Sequence, residues 1–544
     1  MNFQISLTVL LVITTTVNST LTDITDKTGY IPGHDCLRSY DGMMESVDDL
    51  VQAFPSLVTK TKIGESWLKN NEGRHDGVHD IPDGGHDIFV LNITASDSER
   101  LSSDKGKMLL TSGVHAREYA PPELLMRFIE LLVKGYGHDA DVTTTLQHSE
   151  VHAILYINPD GRFMAEKYPE LYWRKNLHPY DCEGEVGYEE GAINGTYGVD
   201  INRNMDFMFA NEGGSSEDPC KGSFHGSSPE SEPESQALMN YARALFPEEQ
   251  RKSDAENQLN EPLGEDISDM FIDIHSHGGY VYYPWGYEDL KSPDDDALQA
   301  LGRKINYFNG YRLWAGGQPD FLYPASGDIS DYMYGSLGVS ALGFEIGSAF
   351  YQSCDEFERL VAPVNLPALL FAAKNVNKPF SLIKGPDVFD LRIKHVEGGD
   401  IRVTAHASDS KMVNKIAEDD RDFEEHTTGL QSITELRLFI DVHPDNIKEE
   451  DDNVVVSYTM KLGRVLDDYT ETYDLVLDAS TLTPGRHTFH LQAIDSELYK
   501  GPVSSIFVDV TETETSDTVR RDVTELVDIT EVAMNRGRLR GSQF

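Results

Sequence analysis

The chain has 544 residues, 39% apolar and 25% charged, and is long enough to bury more than one hydrophobic core. Its 92 acidic residues against 46 basic ones leave a formal charge of −46. That balance excludes a nucleic-acid partner held through its phosphates and opposes docking on anionic membranes.

The opening MNFQISLTVLLVITTTVNST reads as a secretory signal peptide over residues 1–19. The apolar run 3–13 is too short to span a bilayer, and Val17-Asn18-Ser19 offers a small-residue cleavage site, although no Lys or Arg precedes the run. The alternative is a buried N-terminal strand. No later stretch approaches 18 apolar residues, so a secreted, extracellular protein without membrane insertion is expected. Four cysteines, at 36, 182, 220 and 354, then predict one or two disulfides.

From Cys36 to Lys384 strands and helices alternate. Residues 46–53 read as helix, and 87–93 (DIFVLNI) and 107–114 (KMLLTSGV) as strands. Pro121 and Pro122 open the amphipathic run ELLMRFIELLV, where a helix start tolerates proline. Residues 151–157 (VHAILYI) read as a strand ending in the turn Asn158-Pro-Asp-Gly161, and 271–274 and 341–346 as further short strands. The pattern predicts an α/β fold over residues 20–385, a mixed sheet with helices on both faces.

After Gly385-Pro386 alternation of period two takes over. Leu436, Leu438, Ile440 and Val442 share one face, as do Val454, Val456, Tyr458 and Met460, and Phe489, Leu491 and Ala493 repeat the pattern after the turn Thr483-Pro-Gly485. A smaller all-β, Ig-like sandwich is expected over 386–510, followed by a poorly ordered tail over 511–544.

The chemistry starts at Gly113-Val-His-Ala-Arg-Glu118, directly after an apolar strand. One turn beyond the strand can aim His115 and Glu118 at one point, and zinc accepts both donor types. Alone, such a pair is more often a surface polar pair. A second histidine ends the apolar strand in Phe271-Ile-Asp-Ile-His-Ser-His-Gly278. His275 and His277 share a face of an extended chain, so residue spacing leaves both as possible ligands.

These residues resemble the M14 zinc carboxypeptidases of the carboxypeptidase A type. The resemblance covers residues 36–384, with separated motifs in family order: Gly-Val-His-Ala-Arg-Glu118, Asn158-Pro-Asp-Gly161, Tyr172-Trp-Arg-Lys175, Gly198-Val-Asp-Ile-Asn-Arg-Asn204, Asp273-Ile-His-Ser276 with Tyr283-Pro-Trp-Gly-Tyr287, Tyr323-Pro-Ala-Ser-Gly327 and Leu342-Gly-Phe-Glu345. Two histidines and a glutamate are the ligand set of carboxypeptidase A itself, so that set enters through the resemblance. It implies one zinc on His115, Glu118 and His275, in preference to His277.

The resemblance further implies Glu345 as general base and Arg174 as stabiliser of the oxyanion. It implies Asn202 and Arg203 as a clamp on a free C-terminal carboxylate, because a guanidinium offers two parallel donors to a carboxylate. Tyr323 would close over the bound residue, and Arg117 would add a contact to the substrate backbone. A disulfide between Cys182 and Cys220, flanking the clamp, is also implied, with Cys36 and Cys354 paired or free.

The implied activity is removal of C-terminal residues from peptides and proteins by a secreted monomer. Ser330 falls at the floor of the side-chain pocket, where aspartate would select Lys or Arg and an aliphatic residue large apolar side chains; an apolar or mixed preference is expected. His277 stands where many relatives carry tyrosine, and no length is left between the signal and the catalytic pattern for an inhibitory prodomain. Two other functions compete with this reading: a zinc amidase or esterase on a related scaffold, disfavoured by Asn202, Arg203 and Tyr323, and a non-catalytic secreted binding protein, disfavoured by Glu345 and the intact ligand set.

Overall fold

The computed structural model describes residues 29–71, 84–96, 105–180, 187–189, 192–194, 198–211, 213–246, 260–317, 324–396, 399–410, 430–447, 457–467 and 469–511. The expected signal peptide, Cys182, Tyr323, Val454, Val456 and the tail from 512 lie outside them. No helix among the described residues is long and apolar enough to cross a membrane.

Eight strands form one mixed sheet: β1 (Val58–Glu65), β2 (Asp87–Ile93), β3 (Gly106–Ser112), β4 (Ser149–Ile154), β5 (Met270–His275), β6 (Tyr280–Tyr283), β7 (Arg312–Ala315) and β8 (Ser340–Glu345). Their order across the sheet is β7-β6-β8-β5-β3-β4-β2-β1. The central run β8, β5, β3 and β4 is parallel throughout. Strands in such a run are covered on both faces and read as continuous apolar stretches. Leu109, Leu110, Ile272, Ile274 and Phe344 have no exposed surface, each burial contributing about 1.5–3 kcal/mol.

The helices are cut where the sequence supplies caps. α1 (Tyr40–Ala53) starts earlier than its apolar period suggested, because the Ser39 side chain accepts from the Gly42 N–H. α2 (Ala120–Gly135) carries its prolines in the first turn, as expected. Asn158-Pro-Asp-Gly161 is not a free turn. It opens α3 (Pro159–Lys167), with Asn158 capping the Gly161 N–H and Pro159 in the first turn. Cap and turn signals use the same residue types, which is why the motif reads as a turn in the sequence.

The C-terminal part is all-β, as expected. β9 (Asp387–His395), β10 (Ile401–Ser408), β11 (Ile433–Ile440), β12 (Ser457–Thr459), β13 (Lys461–Asp467), β14 (Thr470–Leu477), β15 (Gly485–Asp495) and β16 (Ser504–Val510) form two antiparallel sheets, β9-β10-β14-β13 and β12-β11-β15-β16. Leu436, Leu438, Phe489, Leu491 and Ala493 fill a core separate from that of the mixed sheet. Val442 does not continue that face: the strand ends at Ile440, and Asp441 turns away at φ 59°. The two parts meet through buried polar links; the Lys304 ammonium lies 3.0 Å from Asp387 Oδ2 as an ion pair and donates to the Gly385 carbonyl at 2.8 Å.

Cys36 and Cys354 form a disulfide across 318 residues, with Cα atoms 5.5 Å apart. A loop that long places its contribution at about 6 kcal/mol in the chain-entropy model. Cys220 is also disulfide-bonded.

Candidate metal centre and substrate cleft

Three neighbouring strands end at one point. β3 stops at Ser112, and the chain leaves the sheet at Gly113 with φ +62°, where a Cβ would come within 2.8 Å of the Leu155 carbonyl oxygen. Glycine is required there, and the turn it makes swings His115 and Glu118 over the sheet edge. His275 is the last residue of β5, and Glu345, the last of β8, is its register partner. Carboxyl ends of parallel strands are where open α/β sheets place ligands.

His115, Glu118 and His275 are buried, with one ligating atom from each lying within 4.8 Å of the others. His115 Nδ1 is 2.8 Å from Glu118 Oε1, and His275 Nδ1 is 3.1 Å from both His115 Nδ1 and Glu118 Oε2. The outer nitrogens face carboxylates: His275 Nε2 lies 2.8 Å from Asp273 Oδ2, and His115 Nε2 lies 3.3 Å from Asp200 Oδ1. A carboxylate only accepts, so the 2.8 Å contact with Asp273 suits a proton on His275 Nε2, which leaves the His275 Nδ1 lone pair turned to the cluster. Two ring nitrogens and a carboxylate converging in a buried space form a donor set for a cation. The donor set is one that zinc accepts.

Although burial opposes ionisation, His115 and His275 hold the Glu118 carboxyl well below the usual range. Burial likewise opposes a charged His275, yet Asp273 and Glu118 push its pKa well up. Glu345 is raised to about 8, first by burial and then by the Glu118 charge. Its Oε2 is buried with no hydrogen-bond partner.

The cluster opens into a cleft with an empty volume of about 590 Å³, and Arg174, Asn202, Arg203, Ser330 and Glu345 line it. Asn202 and Arg203 lie in a single 3-10 turn, Ile201–Arg203, capped by Asp200, which accepts from the Asn202 N–H. The Asn202 side-chain oxygen accepts from the Ile329 N–H at 3.0 Å. Arg203 Nε donates to the Gly214 carbonyl at 3.0 Å and its Nη1 to the Asn202 carbonyl at 2.6 Å, which orients the guanidinium plane. Arg174 donates from Nε and Nη2 to Asp200 Oδ2 at 3.1 and 2.8 Å. Asp200, held well below the usual range by Arg174 against the opposing effect of burial, thus joins a ligand histidine to this arginine.

Not every expected residue meets the cluster. The Arg117 guanidinium stacks 4.0 Å from the Phe350 ring centroid, outside the lining of the cleft. His277, the rival ligand, is exposed and packs edge-on against Phe350. Alternation put it on the face of His275, but the strand ends there and the chain bends away through Gly278 and Gly279. Ser330 is buried in α4 (Ile329–Gly335), and its Oγ has no hydrogen-bond partner. Sequence reasoning gave no role to Asp200 or Asp273; the one available signal was an acidic residue inside an apolar strand.

The zinc carboxypeptidase family model, Peptidase M14, matches residues 43–359. Carboxypeptidase A4 of Mus musculus is 25% identical over 315 residues, 57% of this chain and 62% of that protein. Carboxypeptidase A1 of Homo sapiens is 27% identical over 319 residues, 58% of this chain and 62% of that protein. The chain thus spans about three fifths of the length of these relatives. The crystal structure of thrombin activatable fibrinolysis inhibitor superposes with a TM-score of 0.50 at 20% identity, over 66% of this chain and 80% of that one, a likeness of fold alone.

Proposed function

The chain belongs to the zinc carboxypeptidase family, and from that premise we propose that it is a metallo-carboxypeptidase that hydrolyses the C-terminal bond of peptides and proteins. The observation that carries this reading is the placement of Asn202, Arg203 and Glu345 around one cleft with the His115–Glu118–His275 cluster. The oriented Arg203 fork and Asn202 bind a free carboxylate, which fixes the scissile bond beside the cluster. Glu345, which lines the cleft, takes a proton from the attacking water and returns it to the leaving amine. Arg174, fixed by Asp200, offers positive charge where the oxyanion develops. A zinc held by His115, Glu118 and His275 would supply Lewis acidity and bring the pKa of a water towards about 7. The Cys36–Cys354 disulfide supports a secreted location.

Purified protein is expected to contain about one zinc, and chelation to abolish release of C-terminal amino acids from blocked dipeptides, with activity restored by added zinc. Full turnover in a chelated, metal-free sample rules the reading out.

The pocket lining supports a more polar side-chain preference than the apolar or mixed one expected at Ser330. Asp328 and Asp331 line the same cleft. Burial raises the pKa of both, with the Asp328 charge adding to the effect on Asp331, whereas Arg203 draws Asp328 back down. Asp331 accepts from the Gly286 and Tyr287 N–H groups. Asp328 uses one oxygen, Oδ1, to cap the Ser330 and Asp331 N–H groups. With the Ser330 hydroxyl beside them, these groups suit a polar C-terminal side chain, or a cationic one whose charge would draw both carboxyls back to their ionised form. A panel of blocked dipeptides is expected to give kcat/KM about 10- to 100-fold higher for C-terminal Lys or Arg than for Phe or Leu, the scale of one hydrogen bond to a charged group. The reverse order returns the pocket to the apolar class.

A further inference from the structure

Both histidines of the cluster are backed by carboxylates, but the two are placed differently. Asp200 comes from a distant loop and is shared with Arg174. Asp273 lies on β5 itself, two residues before His275, so the two side chains leave the strand on one face. Its neighbour in the parallel pairing with β3 is Thr111. The Thr111 hydroxyl donates to Asp273 Oδ1 at 2.7 Å, and Asp273 Oδ2 meets His275 Nε2 at 2.8 Å. Asp273 has no exposed surface, so a carboxylate left unbonded there would be costly.

We propose that Asp273 is a positioning residue for His275, held by Thr111, that fixes the imidazole with its Nδ1 lone pair turned to the metal. The proposal rests on the reading of the cluster as a zinc site. A neutral imidazole without such a partner divides between two tautomers, and one of them presents an N–H where a ligand is needed. The Thr111–Asp273–His275 chain removes that choice and locks the ring plane at the same time. Neither function asks anything of the substrate, so the effect belongs to metal affinity first and to turnover only through it.

The test is zinc affinity of the full-length protein, measured by competition with a chelator and checked by the zinc-induced rise in melting temperature. Asp273→Asn keeps the shape but removes the charge, and is expected to weaken zinc binding about 10- to 100-fold. Its kcat should approach that of the parent protein when zinc is in large excess. Thr111→Val frees the carboxylate to rotate and is expected to weaken binding in the same direction, by less. Asp273→Ala is expected to weaken binding at least as far as Asp273→Asn. A merely structural role would lower the metal-free melting temperature and leave the chelator competition unchanged. Zinc binding within twofold of the parent for Asp273→Asn and Thr111→Val together overturns the proposal alone. Absence of zinc binding by the parent overturns the metal reading itself, and this inference with it.

Discussion

Replacing Glu345 by glutamine is expected to lower kcat/KM about 100- to 10,000-fold while zinc stays bound and the fold is kept. The amide keeps the volume and the place at the end of β8 but cannot take a proton from water. The site is unusual for a glutamate. It terminates a strand whose other residues are all buried, and its Oε2 has no partner. Burial and the Glu118 charge raise its pKa to about 8, while His275 and Arg174 oppose them. A carboxylate that served only the fold would be paired; one that lines a cleft with an unpartnered oxygen suits the base role proposed for it. The measurement is steady-state hydrolysis of a blocked dipeptide alongside metal analysis of the same sample. Near-parental turnover in the zinc-loaded variant removes Glu345 from the base role.

Peptides amidated at the C-terminus are expected to lose about 100- to 10,000-fold in kcat/KM relative to the free acids. Each hydrogen bond between charged partners contributes about 1.5–3 kcal/mol, and a guanidinium offers two in parallel. Arg203 is suited to discriminate because its plane is set before substrate arrives, by the carbonyls of Gly214 and Asn202. The gap between acid and amide should therefore collapse in Arg203→Ala, which loses activity on the acid but little on the amide. That comparison isolates the clamp from general damage, since damage would lower both substrates together. Equal turnover of acid and amide by the parent protein would place the chemistry elsewhere, with an amidase or esterase.

Much of the site was legible because the fold puts chemistry at strand ends, and strand ends are visible as places where an apolar run stops. KMLLTSGV before His115 and the strand before His275 each end in a ligand, and the apolar run before Glu345 ends in the carboxylate assigned the base role. What could not be read was which strands lie side by side. Thr111 and Asp273 are 162 residues apart in the chain and look like polar interruptions until β3 and β5 pair in register. Asp200 is hidden because it reaches His115 and Arg174 from a distant loop. Local ambiguity accounts for the rest. Asn-Pro-Asp-Gly serves a turn or a helix start equally well, and period-two spacing could not separate His275 from His277 because it carries no information about where a strand ends. The pairing of Cys36 with Cys354 is likewise a fact of tertiary structure, with no local signal.

That disulfide has a consequence for a protein that would act among other peptidases. Every side chain assigned here to the metal, the clamp or the proton transfer falls between residues 36 and 354, inside one covalent ring. A single cut anywhere on that ring opens it without releasing a piece: both fragments remain joined through sulfur, and the strands that carry the site are still held to one another by the sheet. Two independent cuts are needed before any part of the site can drift away. A first nick on that ring therefore leaves the assigned residues covalently held together.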